Sequence, residues 1–270
     1  MAVCMAISCN KVAPDDAGDL IDVTFKVSTM SVTNEPITRA STPAADVLKQ
    51  IYFRVLNSAG TEIGSGFQYE STAGFGTITM RIPAGSYSVF IWGSTSSSGG
   101  TNDGSDAIIT NGADIFYYNS TVAVSDGQNN VDVVLERQTG RVTFEILDNK
   151  PADVGSIKIT VSGFDRWRYS NNEFSKTQAA TRTFTPTPNS SGGYDSFWTA
   201  YFPGTWAYNS LTFELLDSAG KSLGSVDVNI DIYKNRNTIV RGNLFDAISG
   251  KGFQILVNDD WGDDNVVPIE

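Results

Sequence analysis

The chain has 270 residues with 19 basic and 30 acidic side chains, a net charge of −11, and no histidine. The lack of histidine excludes a Ser-His-Asp triad, a Cys-His dyad and histidine-ligated zinc or haem. The acidic balance disfavours nucleic-acid binding, because neutralising phosphates needs clusters of Lys and Arg.

The N-terminal segment contains both cysteines of the chain, Cys4 and Cys9. The residues Ala6-Ile7-Ser8-Cys9 are similar to a bacterial lipobox, with Cys9 as the lipid acceptor and the polar run after it as a tether. No basic residue precedes Cys9, so a complete signal peptide would have to begin upstream of Met1. The alternative is an ordinary disordered terminus with two free thiols.

Alternation of apolar and polar residues dominates the rest of the chain and predicts short β-strands separated by Gly, Asn, Asp and Pro turns. The pattern allows at most one short helix. It favours an all-β chain of sandwich architecture. The predicted strands are Leu20–Thr29, Val47–Leu56, Gly76–Ile82, Tyr87–Trp92, Ile115–Val124, Val131–Leu135, Arg141–Leu147, Ser156–Gly163, Thr181–Thr185, Phe197–Phe202, Leu211–Leu216, Val226–Tyr233, Asn237–Leu244 and Phe253–Val257.

Four landmarks recur in the same order in the two halves of the chain. The clearest is Val23-Thr24-Phe25, which recurs as Val142-Thr143-Phe144. The length also suits two domains of about 120 residues. We therefore predict two copies of one sandwich, divided into a tether at 1–19, domains at 20–137 and 138–258, and an acidic tail at 259–270.

Several segments together resemble the fimbrillin-like surface lipoproteins of Bacteroidia, the subunits and anchors of type V pili. They are the lipobox, the strand Leu20–Thr29, the loop Ile37–Ser41, Ile82–Ser94, the restart Glu136–Val142, Lys234–Phe245 and the tail Asp259–Asp264. The resemblance implies two tandem transthyretin-like β-sandwich domains. It also implies a fimbrial (pilus) adhesion role at the cell surface. The precursor would carry a signal, be acylated (palmitate) at Cys9 and be anchored in the outer membrane.

The family mechanism implies strand exchange with other fimbrial subunits. An Arg-specific protease would cut between Arg39 and Ala40, and the first strand, with Ile21, Val23, Phe25 and Val27 on one face, would leave. A neighbouring subunit would supply the replacement strand by β-augmentation. The candidate donor residues are Phe253, Ile255 and Val257.

Each of these assignments has an alternative. Arg39 is the only Arg or Lys between Lys26 and Lys49, but it could be a simple loop charge. The first strand could be a permanent core strand in an anchor or accessory subunit, and the C-terminal strand an ordinary closing strand.

Other polar clusters carry weaker signals. Asp103 and Asp106, and the acidic tail, fit solvated loops better than a calcium site. The aromatic cluster Asp165–Tyr169, together with Trp198 and Trp206, could bind host surface proteins or glycans. We predict no catalytic residue, no metal and no cofactor, because no arrangement of carboxylates or nucleophiles indicates an enzyme.

Overall fold

The computed structural model describes residues 19–30, 41–98, 100–102, 107–109, 113–127, 129–161, 166–168, 173–175, 180–187, 200–203, 206–249, 256–258 and 267–268. Cys9, Arg39, Ala40, Phe253 and Ile255 lie outside these residues. Within them the chain is built of strands and two short helices, which confirms the all-β prediction. Neither of these two helices is long and apolar enough to cross a membrane.

The elements follow one another along the chain with short connections. They are β1 Ile21–Met30, β2 Ser41–Pro43, α1 Ala44–Val47, β3 Gln50–Asn57, β4 Glu62–Tyr69, β5 Thr77–Ile82, β6 Gly85–Ser94, β7 Gly100–Asn102, β8 Ala107–Ile109, β9 Ile115–Val124, β10 Asn129–Arg137, β11 Thr139–Ile146, β12 Ser156–Val161, β13 Arg166–Arg168, β14 Glu173–Ser175, β15 Ala180–Phe184, β16 Ala200–Pro203, β17 Trp206–Leu216, β18 Ser222–Ile232, β19 Asn237–Gly242, α2 Leu244–Ile248, β20 Leu256–Asn258 and β21 Val267–Pro268.

The elements form two compact units. Unit 1 holds β1 to β6, β9, β10 and α1, and unit 2 holds the remaining elements. Strands β7 and β8 pair with each other, and β8 pairs with β13, so both belong to unit 2. In the sequence they fall inside the predicted domain of residues 20–137.

Unit 1 has two layers that share one core. One layer places β1 between β10 and the strands β2 and β5, and the other runs β9-β6-β3-β4. Alternate residues of a strand point to opposite faces, so each layer contributes every second side chain to the interior. The buried cluster combines Val23 and Phe25 from the first layer with Ile51, Val89 and Ile91 from the second.

Unit 2 repeats this order of strand pairing. Its first strand, β11, pairs in parallel with β19 and antiparallel with β16, as β1 pairs with β10 and β5. Its second layer runs β15-β12-β17-β18. The recurring residues Val23 and Val142 occupy the same place, since each faces the parallel partner strand of its own unit. Unit 2 differs in that β20 and β21 extend the sheet beyond β19.

Two local predictions need correction. The prediction of at most one short helix is wrong, because α1 precedes β3 and α2 follows β19. The predicted strands at 47–56 and 237–244 each include a helix residue at one end. The sequence pattern also missed β4, whose glycines interrupt the alternation of large side chains. A Cβ on Gly64 would lie 2.5 Å from the Met80 side chain, so packing explains why a glycine stands there.

Asp148 connects the loop after β11 to the first turn of α2. Its Oδ2 accepts a hydrogen bond of 2.7 Å from the backbone N–H of Asp246. Desolvation raises the pKa of Asp148, and the Asp246 charge adds to this, while backbone N–H groups oppose it. The folded protein therefore binds a proton at Asp148 more tightly than the unfolded chain does.

We expect Asp148→Asn to remove one component of the pH dependence of stability. Because the pKa is raised on folding, Asp148 favours the folded state most at low pH and loses that contribution as the pH rises from about 3.8 through the folded pKa. Urea unfolding of wild type and variant across this range measures the difference. Asp148→Ala is the control, because it also removes the acceptor and should cost about 1 kcal/mol. Parallel pH curves for wild type and Asp148→Asn would contradict the assignment.

Candidate strand-exchange site

Strand β1 alternates between a buried and a solvent-facing set of side chains. The inward residues Ile21, Val23, Phe25 and Val27 are all buried, and Val23 is fully inaccessible. Between them, Asp22 and Lys26 are exposed. The period of two predicted from the sequence therefore corresponds to one core face and one wet face.

Both edges of β1 are hydrogen-bonded to neighbouring strands. On one side it runs parallel to β10, from Val23 opposite Asn129 to Thr29 opposite Leu135. On the other side it runs antiparallel to β5, and its last residues pair with β2. The first strand in sequence is thus a central strand of its layer.

Side-chain contacts reinforce this pairing. The Ser28 hydroxyl donates to the backbone oxygen of Val133 at 3.3 Å. Asp22 and Arg81 form an ion pair of 3.2 Å between β1 and β5, but both side chains are well exposed. Exposed pairs contribute little, so the ladders and the buried apolar face hold the strand.

The energetic consequence follows from the buried side chains. Burying a large apolar side chain contributes about 1.5–3 kcal/mol, so the four inward residues contribute roughly 6–12 kcal/mol. That amount is comparable to the whole stability of a typical domain. Unit 1 can lose β1 only if another strand with the same apolar alternation takes its place.

The sequence did not reveal what would line such a groove. Its walls are β10 and β5, and its floor includes Ile78, Ile82, Val133 and Leu135, all buried. Alternation in these segments predicts strands, but the pairing of residues more than 50 positions apart is a property of the fold.

The C-terminal candidate donor is partly described. Val257 lies in β20, opposite Val240 of β19, and β20 in turn pairs with β21. To serve another molecule, this segment would have to leave the three residue pairs that it makes with β19.

The aromatic candidates are spread over several elements. Trp167 lies in β13, opposite Phe174 of β14 and Ala107 of β8. Trp206 opens β17, opposite Ile232. Trp198 lies outside the described residues, as do Asp103, Asp106 and the acidic tail at 259–266.

No protein-family model matches the sequence, and no curated protein is similar to it. Solved structures do share its fold. The fimbrial anchor protein Mfa2 from Porphyromonas gingivalis has 12% identity and a TM-score of 0.59, over 93% of this chain and 100% of that chain. A candidate adhesin from Bacteroides ovatus has 10% identity and a TM-score of 0.54, over 92% and 95%.

A third similar structure is a candidate polysaccharide-binding protein from Bacteroides thetaiotaomicron. It has 13% identity and a TM-score of 0.55, over 93% of this chain and 98% of that chain. The predicted resemblance to the fimbrillin-like proteins of Bacteroidia is thus confirmed at the level of the fold.

Proposed function

We propose that this protein is a structural, non-enzymatic subunit of a cell-surface fimbrium that serves adhesion. It would be made as a lipoprotein precursor and joined to other subunits by strand exchange after proteolysis. The observation that carries the proposal is β1: first in sequence, central in its layer, and buried along one face. The fold shared with a fimbrial anchor protein over nearly the whole chain supports the same role.

Proteolysis would change how β1 is held. A cut between Arg39 and Ala40 separates the strand covalently from β2 and everything after it. The paired edges of β10 and β5 then keep β1 in place only non-covalently. Loss of the strand leaves unpaired backbone groups and apolar side chains, a state that β-augmentation by a neighbour relieves.

An Arg-specific protease tests this step on the purified precursor. We expect a single early cut that creates a new N-terminus at Ala40, followed by oligomers seen by light scattering and electron microscopy. Arg39→Lys is the matched control, since it keeps the positive charge but removes the cleavage site. Oligomers that form equally in Arg39→Lys, or cleavage elsewhere with Arg39 intact, would contradict the proposal.

An anchor or accessory role is the alternative within the same proposal. In that case the chain stays uncut, β1 remains a core strand, and lipidated Cys9 holds the protein on the outer membrane. Mass spectrometry of protein sheared from cells separates the roles. A start at Ala40 supports the polymerising subunit, and an acylated Cys9 that is lost in Cys9→Ser supports the anchor.

A further inference from the structure

The outer face of β3, β4 and β6 carries a row of aromatic rings that the core does not use. Phe67 of β4 lies opposite Tyr52 of β3, which lies opposite Trp92 of β6. The ring centroids of Phe67 are 4.8 Å from Tyr52 and 6.0 Å from Trp92. Tyr69, two residues further along β4, stacks on Phe67 with centroids 6.2 Å apart and planes 14° apart.

The row is buried at one end and exposed at the other. Trp92 and Tyr52 are 1% and 3% exposed, Phe67 is half-buried, and Tyr69 is 42% exposed. The buried rings fix Phe67, and Phe67 in turn fixes the plane of Tyr69. A ligand that stacks here would meet an ordered ring and would pay little for ordering it.

A polar cluster lies on the same face of the same two strands. Arg54 and Ser65 are opposite each other, two residues from Tyr52 and Phe67 respectively. The Glu62 carboxylate accepts hydrogen bonds of 2.7 Å from Arg54 Nε and from the Ser65 hydroxyl. Ser65 and Tyr69 are four positions apart on β4, or about 13 Å.

We propose that this face of β3 and β4 binds a neutral glycan, with Tyr69 and Phe67 as the stacking rings and Arg54, Glu62 and Ser65 as the polar rim. The C–H face of a sugar ring is apolar and weakly positive, so it suits the electron-rich face of an aromatic ring. Sugar hydroxyls both donate and accept, which matches a guanidinium, a carboxylate and a hydroxyl held side by side.

Charge and size favour this ligand over other classes. The net charge of −11 disfavours acidic sugars and nucleic acids. A protein partner needs several hundred square ångströms of contiguous apolar surface. Among the described large apolar side chains, Tyr69 is the one member of this row that is substantially exposed. A ring pair beside a polar cluster instead has the dimensions of a short sugar chain.

Binding of the purified, uncut full-length chain to an array of neutral and acidic glycans tests the inference, followed by titration with the best neutral ligand. We expect Tyr69→Ala to weaken binding at least tenfold, and Tyr69→Phe to keep it within about threefold, because the ring is retained. Glu62→Gln should also weaken binding. Tyr233→Ala is the matched control, since Tyr233 is another tyrosine with 41% exposure, but it belongs to unit 2.

Thermal unfolding of each variant verifies that Tyr69→Ala remains folded. The inference is overturned if no neutral glycan binds saturably, if only acidic glycans bind, or if folded Tyr69→Ala binds like the wild type. It stands beside the fimbrial role and does not depend on strand exchange. An uncleavable Arg39→Lys protein should therefore bind the glycan normally, which keeps the two failures distinguishable.

Discussion

Replacing Phe25 with alanine is expected to lower the free energy of unfolding of unit 1 by about 3–5 kcal/mol. Phe25 is 1% exposed and sits in the middle of β1, between the ladders to β10 and β5. Removing its ring leaves a cavity that two flanking, fully paired strands cannot close by moving inward. The loss is a large fraction of the stability of a typical domain.

Hydrogen exchange followed by mass spectrometry measures this effect separately in peptides of each unit, because two units need not unfold together. Lys26→Ala is the control on the same strand, since its side chain is exposed and its loss should change stability by at most about 0.5 kcal/mol. A loss below 1 kcal/mol for Phe25→Ala would mean that β1 is not an integral core strand of the uncut protein.

Replacing Gly140 with alanine is expected to destabilise unit 2 by about 1–3 kcal/mol or more. A Cβ at this position would lie 2.4 Å from the backbone oxygen of Tyr233 and 2.8 Å from the Ile232 side chain. Both are shorter than real van der Waals contacts, and the first involves backbone, so β11 or the end of β18 must move. Gly140 also pairs with Phe202 of β16, which restricts that movement.

Gly85→Ala provides the matched comparison for this substitution. A Cβ there would meet only the Tyr87 ring, at 3.4 Å or more, which is ordinary contact. We expect Gly85→Ala to leave the melting temperature nearly unchanged and Gly140→Ala to lower it by several degrees, as calorimetry would measure. Equal melting temperatures for the two variants would show that β11 and β18 can separate without cost.

The sequence predicted the strands that alternate cleanly and failed where packing interrupts the pattern. β1 and β9 occupy nearly the predicted ranges because their alternating residues face a core on one side only. β4 escaped prediction because Gly64 and Gly66 face crowded neighbours, where a larger side chain would clash. α2 was read as the end of a strand, because its Leu244 and Phe245 are buried like the strand residues before them.

The candidate sites divide along the same line. The inward set of β1 could be named from alternation, whereas its central position between β10 and β5 could not. The rings of Phe67 and Tyr69 carry no signal as a pair, because i and i+2 spacing gains meaning only once β4 is known to be a strand.

The sequence by itself determined the all-β class, the recurrence of Val23–Phe25 as Val142–Phe144 and the exclusion of histidine chemistry, since these depend on composition and local periodicity. Only the tertiary structure decided which strands are neighbours. It placed β1 at the centre of its layer, moved β7 and β8 into unit 2, and set Tyr69 on a row of buried rings. The physical reason is that alternation fixes which face a residue occupies, while pairing between distant segments depends on how complete faces pack together.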